Sequence, residues 1–485
     1  MFFDIVPSNT KKQITVRIRD FSKGLDVFTM ENLVPIENCV RCYNFRYDSK
    51  GLSDGLGLAP LSFSNGSGIK TMTLSANAGQ MLGFWIFHRY DGNGKYVPQM
   101  LLYASDKSIY YGSIITLDNV FRQTNVTLES LPIGFNYEKN GEHLFYCCGK
   151  EKIAVIHTAT TQNFNQAPAL NCVLFHNNKL YALIDGEKYK LFLGNNLDPT
   201  EWNMESFDGE VIKFDDGRGD LKKIVDFGEH VLVIRDYGIT QIIQQEDGSY
   251  VFNHVFSSNG KIIPGSVAMC GDELIFMCSD GFYSFNGDGV KKLNIGIEKL
   301  IDLQSGTTIG AYQYGKYYLA CKANFGDNQA VGCESGEYEN NALIEYDIQS
   351  GDTQIMRGVD VCVMSEVATD YFVKLVLGLR SGGVYEIATN GSVGTTSTTK
   401  VWASGYTDFG YAEFHKIIKR IHLNTTKDIK LTINADGVEH SFFVAGDDLP
   451  IHLPTNIRAR KFNLSIQSDE TNNEISNVEL EMELC

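Results

Sequence analysis

A strand–turn–strand phrase recurs along this chain, and it restricts the available folds more than any other feature. Its clearest copy is 274–286, Leu-Ile-Phe-Met-Cys-Ser-Asp-Gly-Phe-Tyr-Ser-Phe-Asn. Two β-rich flanks enclose a Ser-Asp-Gly turn, in which Gly281 supplies the positive φ that tight hairpins demand. Variants stand at 101–112, 144–156, 174–184, 231–243 and 375–387. They turn at Ser105-Asp106-Lys107, at Gly149 and Lys150, at Asn177-Asn178-Lys179, at Asp236-Tyr237-Gly238 and at Ser381-Gly382-Gly383 respectively. From Lys107 to Glu151, and again from Tyr237 to Gly281, the step is 44 residues, and the interval from Gly281 to Gly382 has room for two units.

A degenerate period of about 40–50 residues holding several short strands is the pattern of propeller blades. One hairpin does not bury its own face, so such units must pack radially on one another. A β-sandwich with similar hairpins is the alternative. The fold class expected is therefore all-β: a β-propeller of about six to seven blades with an appended C-terminal antiparallel β-sandwich. Three regions follow. Residues 1–75 form an extended N-terminal segment, whose strand at 13–19 alternates Ile14, Val16 and Ile18 and is available to join the last domain. Residues 76–398 form the propeller. Residues 399–485 form the sandwich, with strands at 417–424, 429–435, 440–444, 461–466 and 478–484. The segment 323–340 reads as a long surface loop and 391–400 as a linker. The best candidate for a helix, 297–304, is short.

Length alone suggests two or three domains at 485 residues, although a propeller grows by adding blades. The net charge of −17 argues against a protein that grips DNA through a broad basic face, while leaving room for an acidic wall along which DNA slides. Eleven irregularly spaced cysteines do not read as a disulfide framework. No apolar run approaches a membrane span of roughly 18 residues, so no membrane anchor is expected. The opening Met-Phe-Phe-Asp-Ile-Val-Pro lacks the layout of a signal peptide, and synthesis in a reducing cytoplasm is expected.

Candidate sites each carry a plain structural reading. Cys39-Val-Arg-Cys42 has CxxC spacing without the second pair that a structural zinc site requires. Cys147 and Cys148 are adjacent on a strand and so face opposite ways. The 214–220 stretch, Phe-Asp-Asp-Gly-Arg-Gly-Asp, clusters carboxylates that calcium favours and contains an Arg-Gly-Asp tripeptide, but it does not have the layout of an EF-hand loop and reads as an exposed turn. Asp280, Asp288 and Asp436 precede glycines and fit turn chemistry. Phe282 and Phe285 fit packing between blades. No nucleophile, base and orienter assemble from the sequence, and no catalytic, cofactor-binding or metal-binding residue is assigned.

The order of phrases resembles a known family. Phe21-Ser-Lys-Gly-Leu25 leads to Asn44, then Gly51-Leu52 and Gly55-Leu-Gly-Leu58. Degenerate blades follow, with Leu197-Asp-Pro-Thr-Glu-Trp202 among them, and the end is introduced by Ser404-Gly-Tyr-Thr-Asp-Phe-Gly410 and Lys416-Ile-Ile-Lys-Arg-Ile421. This resembles the β-propeller tail nozzle, or tail-hub and packaged-DNA-stabilisation, proteins of short-tailed bacteriophages. The resemblance implies a non-enzymatic structural component of the virion tail, assembled in the host cytoplasm. It implies a homo-oligomeric ring, usually a hexamer, below the portal and adaptor proteins, with tail fibres nearby. That ring extends the DNA channel, helps retain packaged DNA and supports its ejection. It implies no cofactor. The alternative reading is a propeller binding module for a host glycan or protein, and a third is a propeller glycoside hydrolase, which needs two facing carboxylates.

Overall fold

In the computed structural model, residues 12–485 are described except 20, 22, 31–32, 36–37, 65–68, 75–77, 90–98, 114–120, 140–141, 149–152, 157–160, 165–166, 326–337 and 369–372. The repeated hairpins belong to a seven-bladed propeller. Six four-stranded antiparallel sheets follow one another along the chain, and a larger sheet makes the seventh blade. Blade one runs from Met81–Phe87 through Gln99–Ala104 and Ser108–Ser113 to Arg122–Thr127; blade four runs from Leu221–Phe227 through His230–Arg235 and Gly238–Gln244 to Tyr250–Ser257. Within each blade the strands are a to d, from the axis outward.

Most of the repeated phrases are b–c hairpins; the one at 174–184 instead joins strands a and b of blade three. Gly281 has φ +138°, so its turn uses backbone that favours glycine. The b–c link of blade six lies between Lys316–Cys321 and Ala342–Asp347 and takes up much of the long interval before Gly382. The turn at Gly149 and Lys150, and most of 323–340, lie outside the described residues.

Strands b and c are apolar on both faces because each blade packs on two neighbours. Cys147 and Cys148 show it directly. Cys147 packs with Phe87 and Leu101 of blade one, and Cys148 packs with Leu170 and Leu180 of blade three. A hydrophobic cluster fills every blade–blade interface, including the one between blades seven and one, where Val376 and Val367 meet Met81 and Met100. The ring closes there: the Cys362 thiol donates to the Met81 carbonyl at 2.8 Å.

Blade seven is built from both ends of the propeller sequence. Val361–Ala368, Val373–Leu379 and Val384–Ala388 supply strands a to c, and Gly57–Pro60 supplies strand d, in register with Tyr385 to Ala388. Sequence reading placed 57–60 in the lead-in, because nothing local shows a pairing partner more than 300 residues away. The 391–400 stretch, read as a linker, instead holds two short strands, Ser392–Val393 and Thr396–Ser397, that extend this blade. The 297–304 stretch is not a helix; among the described residues the only helical element is the 3-10 turn Pro199–Glu201.

The last region is a sandwich of a six-stranded and a five-stranded sheet around one core. Its strands alternate buried and exposed residues, as in Phe462–Ser468 and Ile429–Ala435. One strand, Asp447–Ala459, escaped sequence reading because Pro450 and Pro454 interrupt it; it is an edge strand, where proline is tolerated. The N-terminal chain is woven in. Gln13–Ile18 pairs antiparallel with Ile475–Leu484, Cys39–Tyr43 pairs with Lys400–Ser404, and Phe45–Asp48 and Gly51–Asp54 extend the six-stranded sheet.

Propeller and sandwich share a polar, buried joint. Asn44, fully buried at φ +62°, bridges Arg357 of blade six and the Thr399 carbonyl. Arg46 meets the buried Glu345 at 3.2 Å, and the Tyr47 hydroxyl donates to the Thr353 carbonyl at 2.7 Å. The buried Lys400 ammonium lies 3.3 Å from Asp54 and also donates to the Glu470 carbonyl.

Candidate functional site

In this propeller the d–a loops and b–c turns of the blades lie at one end of the ring. A common clip recurs in blades one, three, four, five and seven, where a b–c turn N–H donates to the preceding d–a loop. In blade four, Asp236 N–H donates to the Asp220 carbonyl; in blade five, Ser279 N–H donates to the Lys261 carbonyl; in blade seven, Arg380 N–H donates to the Asp360 carbonyl at 2.8 Å. Blade seven carries a concave cleft at this end.

Its floor is fixed by a buried carboxylate. Asp360, 5% exposed, accepts from the backbone of Glu339 and Asn340 at 3.2 and 3.0 Å and from Arg380 Nε at 3.2 Å. Asn340, itself buried, donates to the Thr307 and Val361 carbonyls, so the carboxylate and its loop are held from below. Arg380 Nη2 donates to Glu339 at 2.6 Å, which sets the plane of the guanidinium. Ser381, Thr396, Tyr338 and Tyr385 complete the walls of a cleft of about 570 Å³.

A second lobe of about 480 Å³ lies on the other side of the 381–383 turn, against Pro60, Met72 and Leu74. Ser381 and Tyr385 line both lobes. Gly382 and Gly383 have φ +94° and +97°, and the bare Gly383 α-carbon lets the Tyr385 ring approach: a Cβ there would stand 2.6 Å from the ring. Gly394 faces the ring's opposite edge. Beneath the site, burial pushes the Cys362 thiol up to about 12, so it stays neutral and is no nucleophile at ordinary pH.

The residues singled out from sequence fall elsewhere. Cys39 and Cys42 are buried in the sandwich core, where burial and their mutual contact hold Cys39 protonated. Among the described residues no group of three or more His, Cys, Asp or Glu side chains is placed to hold a metal. The 214–220 stretch is an ionic clasp of blade four. Asp216 lies 2.5 Å from both Arg218 and the fully buried Arg235. Burial opposes ionisation of Asp216, but Arg235 overrides it and the carboxyl titrates below its usual range. Arg218 is folded back onto Asp216 and Ser257, so the Arg-Gly-Asp tripeptide is part of this clasp. Trp202 is buried between blades two and three, donating to the Asn196 carbonyl, while Asp198 caps the short turn before it. Phe282 and Phe285 pack in different interfaces, with blades six and four respectively. Asp280 and Asp436 serve turns.

Sequence reading did find the Ser381-Gly-Gly turn. It missed Tyr338, Asp360, Arg380 and Tyr385, which come from three separate segments and carry no common spacing.

No family model matches this chain, and no curated protein matches it. Among solved structures, two of BBS1N in complex with ARL6DN, soaked with mercury and with lead, overlay on it with TM-scores of 0.42 and 0.43. Identity is 9% in both, over 66% of this chain and 93% and 94% of theirs. At that level of likeness neither neighbour carries an argument about what this chain does.

Proposed function

We propose that this protein is a non-catalytic binding module: the propeller presents a recognition cleft on blade seven, and the sandwich anchors that propeller to a larger assembly. The observation that carries the reading is the cleft itself. It is concave, has aromatic and polar walls, and its Arg380–Asp360 floor is held by buried hydrogen bonds, so it is preorganised as ligand sites are. The joint at Asn44 supports the anchoring role, since it couples the propeller to the sandwich without a free linker. Labelled full-length protein incubated with intact cells and isolated envelopes of candidate bacterial hosts should bind saturably. Binding that is linear with concentration on every envelope overturns the reading, and turnover of host polysaccharide replaces it with an enzymatic one.

A second reading, a ring component of a short-tailed phage tail, is favoured by Phe443. This side chain is 85% exposed on the edge strand Val438–Val444 of the sandwich, beside a groove lined by Asp428, Lys430 and Glu470. A large apolar group on an open sheet edge is a liability unless something covers it. The phrases that carry the family resemblance also sit at structural positions: Phe21 packs edge-on against Trp402, Asn44 forms the joint, and Gly51 lies against the Ile475 backbone. The two readings are compatible, because a tail ring can display a binding propeller. Peptide mass spectrometry of density-banded particles, quantified against the major capsid protein, tests the second: a low fixed copy number supports it, and absence from intact particles ends it.

A further inference from the structure

The cleft's chemistry narrows its ligand. We infer that it takes a neutral oligosaccharide, with successive sugar units lodged on either side of Tyr385; this rests on the binding-module reading above.

Charge is the first argument. The one guanidinium of the cleft, Arg380, is paired with two carboxylates, Asp360 in the lining and Glu339 beside it, and the chain as a whole carries −17. A phosphate, sulfate or sialate entering it meets an already neutralised arginine and an acidic surround, so anionic ligands are disfavoured. Donor and acceptor content is the second. Arginine supplies only donors and carboxylates only acceptors, while the Ser381 and Thr396 hydroxyls supply both. A sugar hydroxyl both donates and accepts, and so matches a mixed set that a simple anion or cation does not.

Shape is the third argument. Two lobes of about 570 and 480 Å³ meet at one aromatic ring, held between Gly383 on one edge and Gly394 on the other. Tyr338 adds a second ring to the first lobe, while Met72, Leu74 and Pro60 give the second a surface for the C–H face of a sugar or an acetamido methyl. An extended ligand spanning both lobes must cross Tyr385. A single monosaccharide fills only one.

Full-length protein applied to a printed array of neutral, sulfated, phosphorylated and sialylated glycans tests the inference, with Ser381→Trp and Tyr338→Ala beside the wild type. Ser381 is exposed, so its substitution blocks the cleft without removing a buried contact; equal thermal midpoints would establish that the variant is folded. The expected result is binding to neutral oligosaccharides of two or more units, weakened at least about tenfold by Ser381→Trp. Binding confined to anionic glycans, or unchanged in Ser381→Trp, overturns it. Envelope binding that survives periodate and disappears with protease overturns the sugar inference while the binding module stands. Absence of binding to both array and envelopes removes both.

Discussion

Asn44 and Arg357, 313 residues apart, form a reciprocal amide–peptide pair: Asn44 Oδ1 accepts the Arg357 N–H at 2.7 Å, and Asn44 Nδ2 donates to the Arg357 carbonyl at 3.1 Å. The same Nδ2 also donates to the Thr399 carbonyl at 2.7 Å, and the Asn44 N–H donates to the Ile355 carbonyl. One side chain thus serves the outer strand of blade six and the chain entering the sandwich. Asparagine suits the position twice over, because it tolerates φ +62° and its short amide reaches the facing peptide. Asn44→Ala leaves buried peptide groups unpaired and forces alanine into left-handed backbone. The expected cost is about 2–5 kcal/mol, read as a lower urea midpoint. Asn44→Gly removes only the side-chain bonds; if it is as stable as wild type, the pair is not what holds the joint.

Gly281 tests the turn chemistry behind the repeat. Its φ is +138°, and a Cβ there would stand 2.8 Å from Lys292 Cε. Gly281→Val should destabilise by about 1–3 kcal/mol, through backbone strain added to that contact. Gly248, at φ +84° with nothing within 4 Å of the added carbon, is the control: Gly248→Ala should cost about 1 kcal/mol. Equal thermal midpoints for Gly281→Val and wild type would reject the assignment.

Alkaline pH should destabilise the protein. Burial pushes the Cys270 and Cys278 thiols up to about 12 from 9.0, and the phenols of Tyr110 and Tyr283 up to about 12 from 10.0. An acid whose folded pKa is raised contributes stability that is complete below its unfolded pKa and is lost as pH rises towards the folded one. Buried Lys223 and Lys416 act the other way, since burial lowers their pKa and folding then gains as pH rises. The buried thiols and phenols outnumber them, so the net slope is negative. Urea midpoints should be level between pH 7 and 8 and fall steadily from about pH 9. A midpoint that holds to pH 10.5 would contradict this account.

The b–c hairpins were legible in the sequence because both strands and the turn are local, and each turn residue announces its own geometry. Pairings across long separations were not. Gly57–Pro60 reads as a glycine-rich lead-in and becomes strand d of blade seven only because Val384–Ala388 waits for it. Asp447–Ala459 was hidden by Pro450 and Pro454, which an edge strand accepts and a central one does not. The cleft was least legible. Tyr338, Asp360 and Tyr385 are ordinary residues in a turn-rich sequence, and only ring closure brings them to one place.

Phe443 separates assembly from folding. At 85% exposure it contributes little to the fold of the single chain, so Phe443→Glu should leave the thermal midpoint of the monomer within about 0.5 kcal/mol of wild type. If the sandwich edge is an assembly surface, the same variant should shift the oligomer distribution towards monomer in light scattering at matched concentration. A wild-type protein that is already monomeric, or a variant that assembles as well as wild type, rules out this edge as the contact.

Leu58 decides whether the propeller depends on its closing strand. It is fully buried, pairs antiparallel with Ile387 and parallel with Val393, and packs with Leu343, Met356 and Leu377 between blades six and seven. Leu58→Ala should cost about 2–5 kcal/mol, the range for a buried leucine whose cavity does not collapse. Leu449, 68% exposed on the sandwich edge, should show almost none of this on the same substitution. The location of the loss matters as much as its size. If strand d holds blade seven in the ring, blades six and seven lose their mutual cover, and amide exchange in Ala342–Asp347 and Val361–Ala368 should quicken before that in blades three and four. Uniform quickening across all blades would mean that the ring unfolds as one unit; exchange unchanged at blades six and seven would mean that closure rests on strand a and the Cys362–Met81 contact, with Gly57–Pro60 merely lying against the edge.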